Sequence, residues 1–172
     1  MSMKPDMEYH TVQGNKYTFE DKPVQDFVVS HLSGRVLNTC SGKTQLQYDG
    51  EIKRNDIDTD MPADTHLDVH ELPDEYGKDS FDTIVFDPPW SGFQSNDKYD
   101  GGDVNWTKEI KEGFDRMIRP NGSVIQIGYS TVCMPGRLEY ERVAVSVFQP
   151  YGRRKAFYAT VDTKNPQLRE WL

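Results

Sequence analysis

The stretch Ser80-Phe81-Asp82-Thr83-Ile84-Val85-Phe86-Asp87-Pro88-Pro89-Trp90 constrains the fold more than any other part of the chain. Its β-branched apolar core predicts a buried strand, the clearest in the chain. Two consecutive prolines donate no backbone N–H and cannot extend a ladder, so the strand must stop at Asp87. In parallel sheets covered by helices, ligands bind at the carboxyl ends of strands, where this one places Asp87.

The flanking segments predict the same architecture. Apolar residues at helical spacing predict a helix over 24–32, ended by Ser33-Gly34. Arg35-Val36-Leu37-Asn38 reads as a short buried strand running into the small-residue loop Thr39-Cys40-Ser41-Gly42-Lys43-Thr44. Strands are expected over 51–56 and, shorter, over 65–68. Ile110, Phe114 and Met117 share one face of a helix predicted over 106–117, and Arg119-Pro120-Asn121-Gly122 is a turn before a strand over 123–128. Segments 142–148 and 155–161 flank a Pro150-Tyr151-Gly152 turn and predict an antiparallel hairpin. The fold class expected is α/β, a mostly parallel sheet with an antiparallel C-terminal hairpin. Residues 1–16 are polar and expected to be flexible; 17–172 form a single domain.

Composition bounds the function. Lys plus Arg total 20 against 28 Asp plus Glu, a net charge of −8, which argues against a general phosphate-binding surface. Two local basic patches remain, Arg153-Arg154-Lys155 and Lys108 with Lys111. Cys40 and Cys133 have no ligand-like spacing to histidine, so no metal is expected. No apolar run approaches the roughly 20 residues needed to cross a bilayer, and the N-terminus lacks an apolar signal core, so a cytoplasmic protein with no membrane association is expected.

Asp87-Pro88-Pro89-Trp90 fits a specific chemistry. The exocyclic nitrogen of adenine or cytosine has its lone pair delocalised into the ring and is a poor nucleophile. Acceptors aimed at its N–H bonds favour a more tetrahedral nitrogen and free that lone pair. Asp87 supplies one acceptor and the carbonyl of Pro88 another, while the ring of Trp90 can stack on the base. Pro89 fixes the backbone between them.

On these residues the chain resembles the amino-methyltransferases that methylate adenine N6 or cytosine N4, whose hallmark is Asp/Asn/Ser-Pro-Pro-Tyr/Trp/Phe. The resemblance spans roughly 18–161. It implies a Rossmann-like methyltransferase fold of seven strands with S-adenosylmethionine bound across the strand ends. Asn38, Thr39, Cys40, Ser41 and Gly42 resemble the first cofactor motif, although Asn38 stands where an acid is frequent and one glycine remains. Asp56 with Ile57 resembles the acid and neighbour that receive the cofactor ribose, with Asp58 as the alternative if the strand runs longer. Asp68 with Val69 resembles the pair that meets the cofactor adenine. Pro23, within Phe19-Glu20-Asp21-Lys22-Pro23, resembles the N-terminal motif packed over the cofactor, and Asp87 completes that site.

The activity so implied is methylation of an exocyclic amino group, adenine N6 in DNA being favoured over RNA. Lys98 and Tyr99, in the Gly-rich segment 91–102, are expected to meet the substrate. An RNA or protein-amide N-methyltransferase, or a non-catalytic cofactor-binding subunit of a larger methylase, are the rivals. DNA methylases of this type usually carry a target-recognition domain, for which 172 residues leave no room. Recognition is therefore expected from a homodimer, a separate subunit, or the segments 91–102 and 132–140.

Overall fold

A computed structural model describes residues 4–88 and 106–165, without the side chains of residues 106 and 107. The strands are β1 (Asp6–Val12), β2 (Val36–Asn38), β3 (Ile52–Arg54), β4 (Phe81–Phe86), β5 (Ile118–Gly128), β6 (Tyr140–Pro150) and β7 (Phe157–Lys164). The helices are α1 (Lys22–Ser30), α2 (Leu72–Tyr76) and α3 (Trp106–Met117). The strands form one seven-stranded sheet in the order β1-β6-β7-β5-β4-β2-β3. β7 runs antiparallel to both β5 and β6, and every other pairing is parallel.

Alternation along the strands divides the core into two layers. Val36, Val85, Ile125 and Ile127 face α1, whose Val24, Phe27 and Val28 pack against them. Leu37, Ile84, Phe86 and Val124 face the other side, under Leu72 of α2 and Ile110, Phe114 and Met117 of α3. Phe114 and Met117 are 1% and 0% exposed, so each contributes about 1.5–3 kcal/mol of apolar burial. The predicted helix over 106–117 and the C-terminal hairpin are present, and the strand expected to end at Asp87 ends one residue earlier, at Phe86.

The chain leaves β2 for β3 on one side and returns to β4 on the other, which places the topological switch point between β2 and β4. Asn38 is the register partner of Val85 there, and the next residue, Thr39, donates its backbone N–H to the Val85 carbonyl at 3.0 Å. Open α/β sheets bind ligands in the crevice outside such strand ends.

Several expectations are corrected. The polar N-terminus is not unstructured throughout: Asp6–Val12 pair in parallel with Ala144–Pro150. An edge strand needs backbone partners more than a core face, and Val12 is its one buried residue, so no buried face marked it in the sequence. The strand expected over 65–68 reduces to one parallel bridge between Asn55 and Thr65, because Asp68 turns the chain into a 3-10 turn. The turn foreseen at 119–122 lies within β5, where Asn121 has φ of 66°. A side chain at Gly122 would stand 2.8 Å from the Asp82 carbonyl, so glycine is required there.

Two crossovers lack a full helix. Residues 39–51 between β2 and β3 contain none, and residues 129–139 between β5 and β6 contain one 3-10 turn, Gly136–Leu138. Neither segment carries apolar residues at helical spacing, and Leu46 is the buried hydrophobe of the first.

Candidate cofactor and catalytic site

The loop after β2 is built from backbone. Thr39 Oγ1 donates to the Val85 carbonyl at 2.8 Å, and Ser41 N–H donates to the Asn55 carbonyl at 2.9 Å. Gly42 adopts φ of 59°, the left-handed region that favours glycine. Its N–H donates to Asp56 Oδ2 at 2.8 Å, while Asp56 Oδ1 accepts from the Asp58 N–H at 3.0 Å. Asp56 therefore closes the loop across the ends of β2 and β3.

Asn55 was not foreseen as a site residue, yet it organises these strand ends. It is 0% exposed. Its Nδ2 donates to the carbonyls of Thr39 at 3.0 Å and Leu67 at 2.9 Å. Its Oδ1 accepts from Thr65 Oγ1 at 2.8 Å and from the Leu67 N–H at 3.0 Å. The amide thus uses both donors and both acceptor positions to join three segments. The available signal was an asparagine at the point where the 51–56 strand stops.

Two buried polar atoms on this loop have no hydrogen-bond partner among the described residues: Asn38 Oδ1 and Ser41 Oγ. Their residues are 1% and 4% exposed. A buried polar group without a partner costs free energy that a ligand can recover. Cys40 is half-buried beside them.

The remaining sequence-derived residues are distributed unevenly. Ile57 follows Asp56 and is half-buried. Asp68 caps the 3-10 turn at 69–71, accepting from the His70 N–H at 2.9 Å and pairing with His70 Nδ1 at 2.7 Å. Its own N–H is taken by Glu71 Oε2 at 2.9 Å, which completes a capping box. Val69 is 5% exposed, in the layer under α3. Pro23 stands in the first turn of α1. The preceding Asp21 is 4% exposed and accepts from the backbone N–H groups of Gln13, Gly14 and Asn15 and from Asn15 Nδ2.

Asp87 and Pro88 are half-buried and directly follow β4. The register therefore brings the 38–42 loop, the Asp56 strand end and Asp87-Pro88 to the same edge of the sheet. Pro89, Trp90, Lys98 and Tyr99 lie outside the described residues. Among the described residues no group of three or more His, Cys, Asp or Glu could hold a metal ion, and no helix is long and apolar enough to cross a membrane.

This sheet order, with its antiparallel β7 between β5 and β6, is the Rossmann-like methyltransferase fold. TrmN from Thermus thermophilus matches with a TM-score of 0.59 at 14% identity, over 83% of this chain and 47% of that one. The chain thus spans about half the length of the Thermus protein. A SAM-dependent methyltransferase from Archaeoglobus fulgidus matches with a TM-score of 0.59 at 10% identity, over 81% and 90% of the two chains. The Burkholderia thailandensis 1,6-didemethyltoxoflavin-N1-methyltransferase, solved with its substrate and S-adenosylhomocysteine, matches with a TM-score of 0.58 at 11% identity, over 84% and 77%. No family model matches the chain, and no curated protein matches it in sequence.

Proposed function

We propose that the protein is an S-adenosylmethionine-dependent methyltransferase acting on an exocyclic amino nitrogen, adenine N6 of DNA in the first place. The observation that carries this reading is the convergence of the Asn38–Gly42 loop and Asp87-Pro88 on the β2/β4 switch point. The partnerless Asn38 Oδ1 and Ser41 Oγ fit a polar ligand in that crevice, and the positive φ of Gly42 lets backbone approach it. The fold neighbours support the same cofactor: one, an N-methyltransferase, carries S-adenosylhomocysteine.

Asn38, Thr39, Cys40, Ser41, Gly42, Asp56 and Ile57 would hold the cofactor, with Pro23, Asp68 and Val69 at its margins. The carboxylate of Asp56 retains acceptor capacity for hydroxyl groups beyond its two backbone bonds. Bound S-adenosylmethionine supplies an electrophilic methyl group. Asp87 and the Pro88 carbonyl accept the two amino N–H groups, which turns the nitrogen lone pair out of conjugation. Trp90 stacks the base, Pro89 fixes the intervening backbone, and Lys98 and Tyr99 meet the flanking substrate. The surplus proton leaves after the new N–C bond has formed, so no base is needed before transfer.

The test is transfer of isotopically labelled methyl groups from S-adenosylmethionine to DNA, RNA and a protein amide substrate, followed by nucleoside digestion. Label in N6-methyladenine of DNA is the expected result. Label in RNA or protein would redirect the reading, and cofactor binding without transfer to any substrate would leave a non-catalytic subunit.

A further inference from the structure

A cleft of about 500 Å³ opens on the α3 side of the sheet, where residues 129–139 take the place of a crossover helix. Its lining includes Lys108 and Lys111 of α3, Thr131 and Cys133 of the loop, Arg137, and Arg142 of β6. Gathering four cations around one cleft is notable in a chain of net charge −8.

Their charges are compensated to different degrees. Arg142 Nε is held at 3.0 Å by Asp162, whose side chain is 3% exposed. Arg137 pairs with Glu112 at 2.9 Å, but both side chains are about half exposed, and such pairs contribute little. Lys111 Nζ donates to the carbonyls of Cys133 at 2.5 Å and Val132 at 3.5 Å. No carboxylate lies within ion-pairing distance of it among the described residues. Burial lowers the Lys111 pKa, a cost to the ammonium that an anion in the cleft would offset. Lys108 is exposed. Four cations thus line the cleft against two paired carboxylates, and ammonium, guanidinium and hydroxyl groups border one space, the donor set that recognises phosphate oxygens.

Position links this cleft to the strand ends. Gln126 Nε2 donates to the Val132 carbonyl at 2.8 Å, which fastens the cleft wall to β5. Gln126 is the register partner of Phe86, the residue before Asp87. Neighbouring strands stand about 4.8 Å apart, so the wall is anchored one strand from the proposed catalytic end.

We propose that this cleft is a phosphate subsite that grips the backbone of a single-stranded nucleic-acid substrate beside Asp87, an inference that rests on the methyltransferase reading above. Cations that position the backbone leave base choice to the strand-end site. They also explain how an acidic protein holds a polyanion: its cations are concentrated at one place.

Fluorescence anisotropy of the full chain with a labelled single-stranded oligodeoxynucleotide tests this, using Lys108→Glu, Arg137→Glu and the double variant. Lys78→Glu, at the exposed turn before β4, makes the same charge change as each single variant and is their control for net charge. The double variant should bind about tenfold more weakly, and the slope of log affinity against log salt should fall by about one per lost contact. S-adenosylhomocysteine binding by calorimetry and thermal unfolding should stay unchanged, as in Lys78→Glu. An equal loss in Lys78→Glu, or no loss in the double variant, would overturn the subsite. Displacement of the oligonucleotide by an equal concentration of inorganic phosphate would overturn the assignment to a nucleic-acid backbone. Cleft-dependent binding by a wild-type protein that methylates no nucleic acid would keep the subsite and sink the reading of nucleic acid as the methylated substrate instead.

Discussion

The Gly42 N–H donates to Asp56 Oδ2 at 2.8 Å, so the side chain proposed to meet the cofactor ribose also closes the loop that would lie beneath the cofactor. Ligand binding and loop geometry are coupled through one carboxylate. Asp56→Ala should weaken S-adenosylhomocysteine binding by about 1–3 kcal/mol, the cost of unsatisfied hydroxyl and amide groups. Calorimetry is the measurement, and unchanged affinity would remove Asp56 from the site. Asp58→Ala, which removes a side chain that accepts only from the Asp60 N–H among the described contacts, should leave affinity nearly intact.

Asn55 predicts a stability effect of the same order. Replacing it by alanine leaves the Thr39 and Leu67 carbonyls and the Leu67 N–H without this partner in a fully buried place. The expected loss is about 2–4 kcal/mol, read as a lower urea midpoint at constant m-value. Cofactor affinity should fall with it, because Thr39 and Asp56 lose their common support. A variant with wild-type midpoint would show that the amide does not organise these strand ends.

What the sequence revealed and what it concealed follow one physical rule. Phe81–Phe86 and the Ile110-Phe114-Met117 face announce themselves because burial imposes a period on the residues. The Pro-Pro pair marks a strand end for the same kind of local reason. β1 was hidden because it is held by backbone pairing with β6 and buries only Val12, so burial imposes no period on its residues. Asn55 was hidden because its value lies in four partners that come together only in three dimensions. The cleft was half visible: Lys108 and Lys111 stood out as a pair, but Arg137 of the 136–138 turn and Arg142 of β6 join them only in three dimensions.

Cys133 makes a prediction about pH. Burial, reinforced by the nearby Asp162 charge, pushes its thiol up to about 12 in the folded protein. The unfolded chain releases this proton from about pH 9 upward, so the unfolded state binds fewer protons between the two values. Stability from this group is complete below about pH 9 and is lost as pH rises toward about 12. Urea midpoints across the alkaline range should therefore fall more steeply for wild type than for Cys133→Ala. Parallel curves would deny the thiol this role. By the same cause Cys133 should resist thiol reagents in the folded protein, while half-buried Cys40 reacts first.

Asp87 separates binding from chemistry. Its carboxyl group follows β4 at the switch point, where the proposed substrate amino group must meet the cofactor methyl. If the acceptor acts mainly on the reacting nitrogen, its removal costs transition-state stabilisation and leaves ground-state cofactor binding nearly untouched. Asp87→Ala should lower methyl transfer about a hundredfold or more, the range found when one preorganised electrostatic partner is deleted. S-adenosylhomocysteine affinity should change far less than in Asp56→Ala, and the pair of variants assayed together distinguishes the two roles. Asp87→Asn keeps an acceptor oxygen in place and should retain more activity than alanine, which a purely structural role would not require. Turnover within a few-fold of wild type in Asp87→Ala would place the chemistry elsewhere on the sheet edge.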